Sequence, residues 1–444
     1  MLSVTENDRI MRVTGDAMMG SLIRNYWLPI GVSSEVEPGG EPIRLRLFGE
    51  DLVLFCSTNG KIGLLGEHCP HRGASLKLAR NGECALECIY HGWQIDHQGT
   101  VIVTPAEPER SNFKSRFRHI AYPVCGSAGI LWAYLGDGIP PLLPVFEWSN
   151  LPKENILAAR AVVKCNWAQN LEGAIDSAHQ TYLHDSRSRL ERDRAHVDRI
   201  AQEGLDLVDG FDETGQIIRP WNDGSPRLKV ENTGYGFRYA AIRKPMIQAD
   251  KLQNVRVSHF IAPIFVVIPG PAGWSQLIAH VPMDDDQTMF WHIRANLLGP
   301  YTEEDRKIHT AAAGLTMGVD LDGEFNRLGN RSNNWLQDRD EIRYGDRLSG
   351  IRGTINEDHA VMESMGPRFD RSKEHLGTSD MAVIRFRKIM LDALQNWEVK
   401  GVIFGRSDAT ELSLIRGEER TISLDESWKT VGVKSESAGY SSVD

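Results

Sequence analysis

Apolar and polar positions divide the chain into stretches of different period. Residues 1–30 read as a helical lead-in: in Asp16-Ala-Met-Met-Gly-Ser-Leu-Ile-Arg-Asn-Tyr-Trp27 the apolar residues recur at helical spacing before Pro29. From about Glu41 to Gly138 the character changes. Short stretches such as Ile43–Phe48, Leu52–Phe55 and Ile130–Leu135 alternate or run apolar, and glycines punctuate them at Gly49, Gly60, Gly66, Gly82 and Gly99. That pattern predicts an all-β domain of short strands. Pro140, Pro141, Pro144 and Pro152 mark a linker. Beyond it Cys165 to His184 predicts a helix. Leu228–Val230, Gly236–Ile242, Val257–Ile268, Gln276–Val281 and Met289–Ala295 predict strands, and Glu303–Gly314 and Asp380–Trp397 predict helices. The expected architecture is α+β, an all-β domain followed by an α+β domain with a mainly antiparallel sheet. Leu424 to Asp444, rich in Ser, Glu and Gly, reads as a loosely packed tail. The expected divisions are 1–40 (lead-in), 41–140 (all-β), 150–425 (α+β) and 426–444 (tail), with no internal repeat.

Composition narrows the function classes. Of 444 residues, 41% are hydrophobic and 25% charged, which excludes disordered and fibrous chains. The net charge of −10, from 60 acids and 50 bases, argues against a general nucleic-acid binder. The opening MLSVTENDRI lacks the form of a secretory signal. No run of 18 apolar residues occurs, and Phe260 to Ile268, interrupted by Pro263, reads as a buried strand. A cytoplasmic protein without membrane partners is expected. The six cysteines (Cys56, Cys69, Cys84, Cys88, Cys125 and Cys165) then read as ligands or buried thiols rather than disulfides.

Two constellations carry chemistry. The first is Cys69-Pro-His71, sixteen residues, then Cys88-Ile-Tyr-His91. Two tight loops would each present one thiolate and one imidazole, the set that a [2Fe–2S] cluster with two Cys on one iron and two His on the other requires. The alternative is a structural Cys₂His₂ zinc site, which usually pairs Cys with Cys and His with His beside a short helix. Cys84 fits neither pair, and His68 should point away.

The second constellation lies in the predicted helix, where Glu172, Asp176 and His179 share a face at spacings of four and three. His184 lies five residues beyond His179, about 140° round an ideal helix. Both imidazoles reach one metal only if the helix ends or bulges there. Two His with one carboxylate make the facial triad of non-haem Fe(II) oxygenases.

At this point CPHRGASL and CIYHGW resemble the two cluster loops of Rieske ring-hydroxylating oxygenases, and D-x-x-H-x-x-x-x-H resembles the catalytic signature of the same family. The subgroup it is most similar to is phthalate-dioxygenase-like, through Tyr235-Gly-Phe-Arg-Tyr-Ala-Ala-Ile-Arg243 and Glu363-Ser-Met-Gly-Pro-Arg-Phe-Asp-Arg-Ser-Lys-Glu-His-Leu-Gly-Thr-Ser-Asp380. The resemblance implies a helix-grip-like catalytic domain. It implies that Cys69 and Cys88 hold one iron of the cluster, and His71 and His91 the other. It implies that His179 and His184 ligate Fe²⁺, with a carboxylate from Asn356-Glu-Asp358-His; Asp358 is the choice, with Glu357 and Glu363 as rivals. Asp176 would not ligate but would bridge His179 to a cluster histidine of a neighbouring subunit, in a ring that is commonly a trimer (or a hexamer). Members hydroxylate or O-demethylate aromatic carboxylates. No NAD, flavin or ferredoxin-type motif is present, so a separate NAD(P)H-dependent reductase is implied, possibly with a ferredoxin, its electrons entering at the His71/His91 side. A non-enzymatic Rieske carrier with a binding domain would lack an iron histidine; both are here.

On a strand from Gly236, Phe237, Tyr239, Ala241 and Arg243 share one face. If that face lines the pocket, Arg243 would meet a substrate carboxylate. Otherwise it makes a structural ion pair or faces solvent.

Overall fold

A computed structural model describes residues 1–432 except 109, 205–209, 212–216, 272 and 406–411. The chain forms two compact units, Arg12–Pro144 with Val281–Asp285, and Met1–Met11 with Val145–His280 and Asp286–Asp444. These differ from the expected divisions. The lead-in parts at Met11: Val4–Met11 is a helix of the larger unit, while Met18–Ile23 is a short helix of the smaller. Trp27–Val32 is not helical but a strand pairing Ile130–Tyr134. Pro29 is tolerated because this is an edge strand with a register shift between Pro29 and Gly31.

Apart from that short helix and a few 3₁₀ turns, the smaller unit is β-sheet, as its glycine-punctuated pattern predicts. Ile43–Leu47, Glu50–Cys56, Ile62–Gly66 and Ala121–Tyr122 form one sheet; Arg80–Asn81, Ala85–Glu87, Gln94–Asp96 and Val101–Val103 form another. Val53, Phe55, Leu65, Leu86 and Ile95 meet in a core that also takes in Cys69, Cys88 and Trp93.

The larger unit is built on an eight-stranded sheet. Its strands are β1 (Ile156–Val163), β2 (Arg227–Asn232), β3 (Gly236–Arg243), β4 (Leu252–Ile261), β5 (Phe265–Ile268), β6 (Trp274–Pro282), β7 (Thr288–Asn296) and β8 (Glu418–Ser423). They run in the order β1-β7-β6-β5-β4-β3-β2, and β8 pairs β4. The expected single strand over Val257–Ile268 is two strands, because the chain turns between Ile261 and Phe265 at Pro263, which has no N–H for the ladder. Its helices include α1 (Trp167–Ile175), α2 (Glu303–Ala313), α3 (Thr354–Ser364) and α4 (Met381–Lys400). The helix expected over Cys165–His184 starts where the Asn166 side chain caps the Ala168 N–H, but stops at Ile175; Asp176 is extended at φ −87°, ψ 112°. The start of the expected tail is packed, with Trp428 and Val431 against Ala240, Ile242, Val255 and Ile422; residues 433–444 lie outside the described residues. No helix among the described residues is long and apolar enough to cross a membrane.

Candidate metal sites and substrate cavity

The two Cys/His loops of the smaller unit are built alike. The Gly73 N–H donates to the Cys69 carbonyl and the Gly92 N–H to the Cys88 carbonyl, both at 2.9 Å. The Cys69 N–H returns to Ala74 and the Cys88 N–H to Trp93, both at 2.8 Å. Each turn passes through a glycine at positive φ (76° at Gly73, 71° at Gly92), where a Cβ is disfavoured. The geometry leaves both thiols 3% exposed and both imidazoles half-buried. His71 and His91 lie 4.5 Å apart between ring centroids, and His71 stacks on Trp93 at 4.7 Å.

Three features fit a cluster. Cys69 and Cys88 are not in a disulfide. Burial, with Cys88 beside it, pushes the Cys69 thiol up to about 11, so at neutral pH it becomes a thiolate only when a metal takes the proton's place. Buried His91 Nδ1 has no hydrogen-bond partner among the described residues. Cys84 is exposed. His68 Nδ1 sits 3.2 Å from the Gly73 carbonyl and braces the loop.

The second constellation assembles in the larger unit. After α1 ends, a 3₁₀ turn over His179–Thr181 carries the chain to His184. The early helix stop, rather than a shared helix face, lets both imidazoles converge. Asp358, on α3, places Oδ1 3.4 Å from His179 Nε2 and 3.1 Å from His184 Nε2. Among the described residues, His179, His184 and Asp358 form a set whose ligand atoms lie within 4.8 Å of one another. Burial alone would push His184 down, but Asp358 and Glu357 overrule it and hold its imidazole up at about 9. Burial likewise opposes ionisation of Asp358, yet His184, His179 and Arg327 keep its carboxyl below the usual range. The donor set suits a cation.

The rival carboxylates are engaged elsewhere. Glu357 accepts the His184 Nδ1–H at 2.6 Å through one oxygen and the Ser349 hydroxyl through the other. Glu363 accepts the Lys164 N–H at 2.9 Å and the Trp335 indole N–H at 2.7 Å. Glu172 pairs with Arg371 at 2.9 Å and Arg387 at 2.7 Å, so it belongs to the packing of α1 on α4. Asp176 accepts the Ala178 N–H at 2.8 Å, and its other oxygen lies 3.6 Å from His179 Nδ1.

These residues open on a cavity of about 370 Å³ walled by alternate residues of the sheet. Tyr239 comes from β3, Arg256 and Ser258 from β4, Gln276 and His280 from β6, and Phe290, His292 and Arg294 from β7. Arg243 is not part of this lining. Its guanidinium, 2% exposed, donates to the Ser177 carbonyl at 2.5 Å and lies 4.0 Å over the Trp221 ring. The face alternation holds as far as Tyr239, but Arg243 lies behind the wall, holding the 177 segment. Sequence reasoning passed over Glu357 as an orienting group and the polar residues of β6 and β7. The signal for the latter is the spacing Gln276/His280 and His292/Arg294, polar side chains on one face of otherwise apolar strands.

Comparison with known proteins identifies the two domains. Residues 26–118 match the Rieske [2Fe-2S] domain family, and residues 133–443 match the LigXa C-terminal domain like family. The chain is 40% identical to the phthalate 4,5-dioxygenase oxygenase subunit of Pseudomonas putida, over 97% of this chain and 94% of that one. It is 33% identical to the 3-chlorobenzoate-3,4-dioxygenase oxygenase subunit of Comamonas testosteroni, over 91% of each. Among solved structures, the oxygenase–ferredoxin complex of carbazole 1,9a-dioxygenase has the same fold, with a TM-score of 0.54 at 21% identity over 90% of this chain and 98% of that one.

Proposed function

Since this chain belongs to the Rieske non-haem iron oxygenases, as an oxygenase subunit, we propose that it uses reductase-supplied electrons and O₂ to hydroxylate an aromatic carboxylate. The observation that carries this reading is the convergence of His179, His184 and Asp358 on the wall of a cavity of about 370 Å³. When bound, the [2Fe–2S] cluster stores and passes single electrons, and the mononuclear iron activates O₂.

The chain's own residues do the rest. Cys69, Cys88, His71 and His91 hold the cluster. His179, His184 and Asp358 would hold Fe²⁺ beside the cavity, where it would supply O₂ activation. Asp176 holds His179 and, in a ring of three or six subunits, a cluster histidine of the neighbouring chain. Glu357 orients His184 by accepting its Nδ1–H, and Ser349 orients Glu357. Phe290, Ile278 and Tyr239 offer a flat apolar enclosure for a ring. A partner that oxidises NAD(P)H supplies the electrons, and a cytoplasmic location suits it.

The test is a product assay. Purified protein, with iron and sulfide quantified, is incubated with a surrogate reductase, NADH and a panel of aromatic acids, and products are separated by liquid chromatography. A hydroxylated acid formed in step with O₂ uptake is expected; a colourless, iron-free protein or an unoxidised panel would end this reading. Methoxylated acids belong in the panel, because a relative 28% identical over 88% of this chain and 80% of its own is the 5,5'-dehydrodivanillate O-demethylase oxygenase subunit of a Sphingobium species. O-demethylation would use the same ligands.

Glu357→Gln tests the orienting role. The amide keeps the shape but loses the charge that holds His184. Fe²⁺ binding to the apo site is expected to weaken by about 10- to 100-fold, with cluster content unchanged. Titration of chelator-treated protein with Fe²⁺ reads this, and wild-type affinity would discard the role.

A further inference from the structure

The cavity wall holds an imidazole whose proton the fold has already placed. The neighbouring strands β5, β6 and β7 supply the parts. Gln276, on β6, donates from Nε2 to the Pro269 carbonyl just past β5, at 2.9 Å. A carbonyl only accepts, so the amide nitrogen must face it and Oε1 must face the other way. Oε1 lies 2.9 Å from Nε2 of His292, on β7. The His292 proton therefore sits on Nε2. Burial, with the Arg294 charge nearby, holds this imidazole well below its ordinary range, so it carries no second proton at neutral pH. Nδ1 is left with a lone pair. It is buried and has no hydrogen-bond partner among the described residues.

The other imidazoles of the lining, the proposed iron ligands aside, are placed differently. His359 Nδ1 accepts from Arg327, so His359 has an N–H to offer instead. Both nitrogens of His280 lack a partner among the described residues, so either tautomer is open to it. His309 packs edge-on against the Trp274 ring at 4.7 Å. Of these rings, His292 is the one whose hydrogen bonds make it an acceptor.

A buried lone pair with no donor is costly, and a hydroxyl or N–H arriving there relieves the cost. Position supports that use. Phe290 and His292 alternate into the cavity along β7, their rings 6.4 Å apart. Phe290 also lies 4.4 Å from the ring of His359, the neighbour of Asp358. A substrate ring lying on Phe290 would therefore have the proposed iron ligands towards one side and His292 within reach of a substituent.

We propose that His292 Nδ1 is a specificity-determining acceptor for a hydrogen-bond-donating substituent of the substrate, a phenolic hydroxyl or an aromatic amine. This rests on the reading of the substrate as an aromatic acid, and adds a second, uncharged group that the acid must carry. An ether oxygen or a fluorine would set a lone pair against the lone pair of Nδ1 and is disfavoured. Gln276 is a positioning residue: it acts by fixing the proton on the far nitrogen.

Calorimetric titration of the iron-loaded oxygenase, without reductase, decides it. The probes are the ortho, meta and para hydroxybenzoates and aminobenzoates, each beside the fluorobenzoate and methoxybenzoate of the same substitution. Wild type should bind at least one hydroxy- or aminobenzoate about 10-fold more tightly than both counterparts. His292→Phe keeps a flat ring without the lone pair. It should abolish that preference and change the fluorobenzoate little. Gln276→Leu frees His292 to carry its proton on either nitrogen, so the preference should shrink with His292 still in place. A wild type with no such preference overturns the proposal without any variant. So does a His292→Phe variant that keeps the preference, or that weakens all three probes equally. Should His292→Phe fail to fold, an unchanged preference in Gln276→Leu overturns it instead. If wild type binds and oxidises aromatic acids without the preference, only the role of His292 falls. If it binds none of the acids, the substrate reading falls with it.

Discussion

Asp358→Ala is expected to yield a red-brown protein with about two irons per chain instead of about three, and no detectable hydroxylation. Oδ1 of Asp358 lies 3.1 Å and 3.4 Å from the two imidazole nitrogens it would join in ligation. Removing it leaves two neutral donors, too few to hold Fe²⁺ against water at ordinary concentrations. The proposed cluster ligands Cys69, His71, Cys88 and His91 belong to the other compact unit, so the cluster's absorbance should persist. Iron assay beside the visible spectrum separates the two metals. Retention of the third iron at wild-type level would strike Asp358 from the ligand set.

Asp176→Asn should keep all the iron and a reducible cluster, yet lose roughly 100-fold in product formation. Asparagine preserves Oδ1, which accepts the Ala178 N–H at 2.8 Å and fixes the turn after α1. It replaces the second oxygen, 3.6 Å from His179 Nδ1, with an amide that cannot accept a proton from an imidazole. Although burial opposes it, His179 and the N–H groups of Ala178 and His179 keep the Asp176 carboxyl below the usual range, so wild type presents a carboxylate at neutral pH. Dithionite reduction monitored by absorbance, followed by a product assay with the surrogate reductase, tests the claim. Turnover near the wild-type rate would rule out a bridge through Asp176.

The Cys/His pairs were legible because each is local. Cys69 and His71 sit in one turn, Cys88 and His91 in another, and the glycines after them fix both turns. His179 and His184 were legible as candidates by spacing, but the reason they converge was not. The helix was expected to run to His184; it stops at Ile175, and the extended Asp176 and the 3₁₀ turn bring the two rings together. Helical periodicity in a window cannot register a break of one residue. Arg243 misled for a related reason. Alternation along β3 identified its face, but where that face leaves the cavity depends on the 177 segment packed over it.

The sequence by itself determined the kinds of ligand, their grouping into two sites, and the succession of an all-β and an α+β region, because these depend on contacts between near neighbours and on strand and helix periods. Only the tertiary structure decided that Asp358 faces the Nε2 atoms of His179 and His184 while Glu357, one residue earlier, turns to Nδ1 of His184, 173 positions away. Adjacent helix residues point about 100° apart, and which one meets a distant site is set by how α3 packs against α1, not by any local preference of the chain.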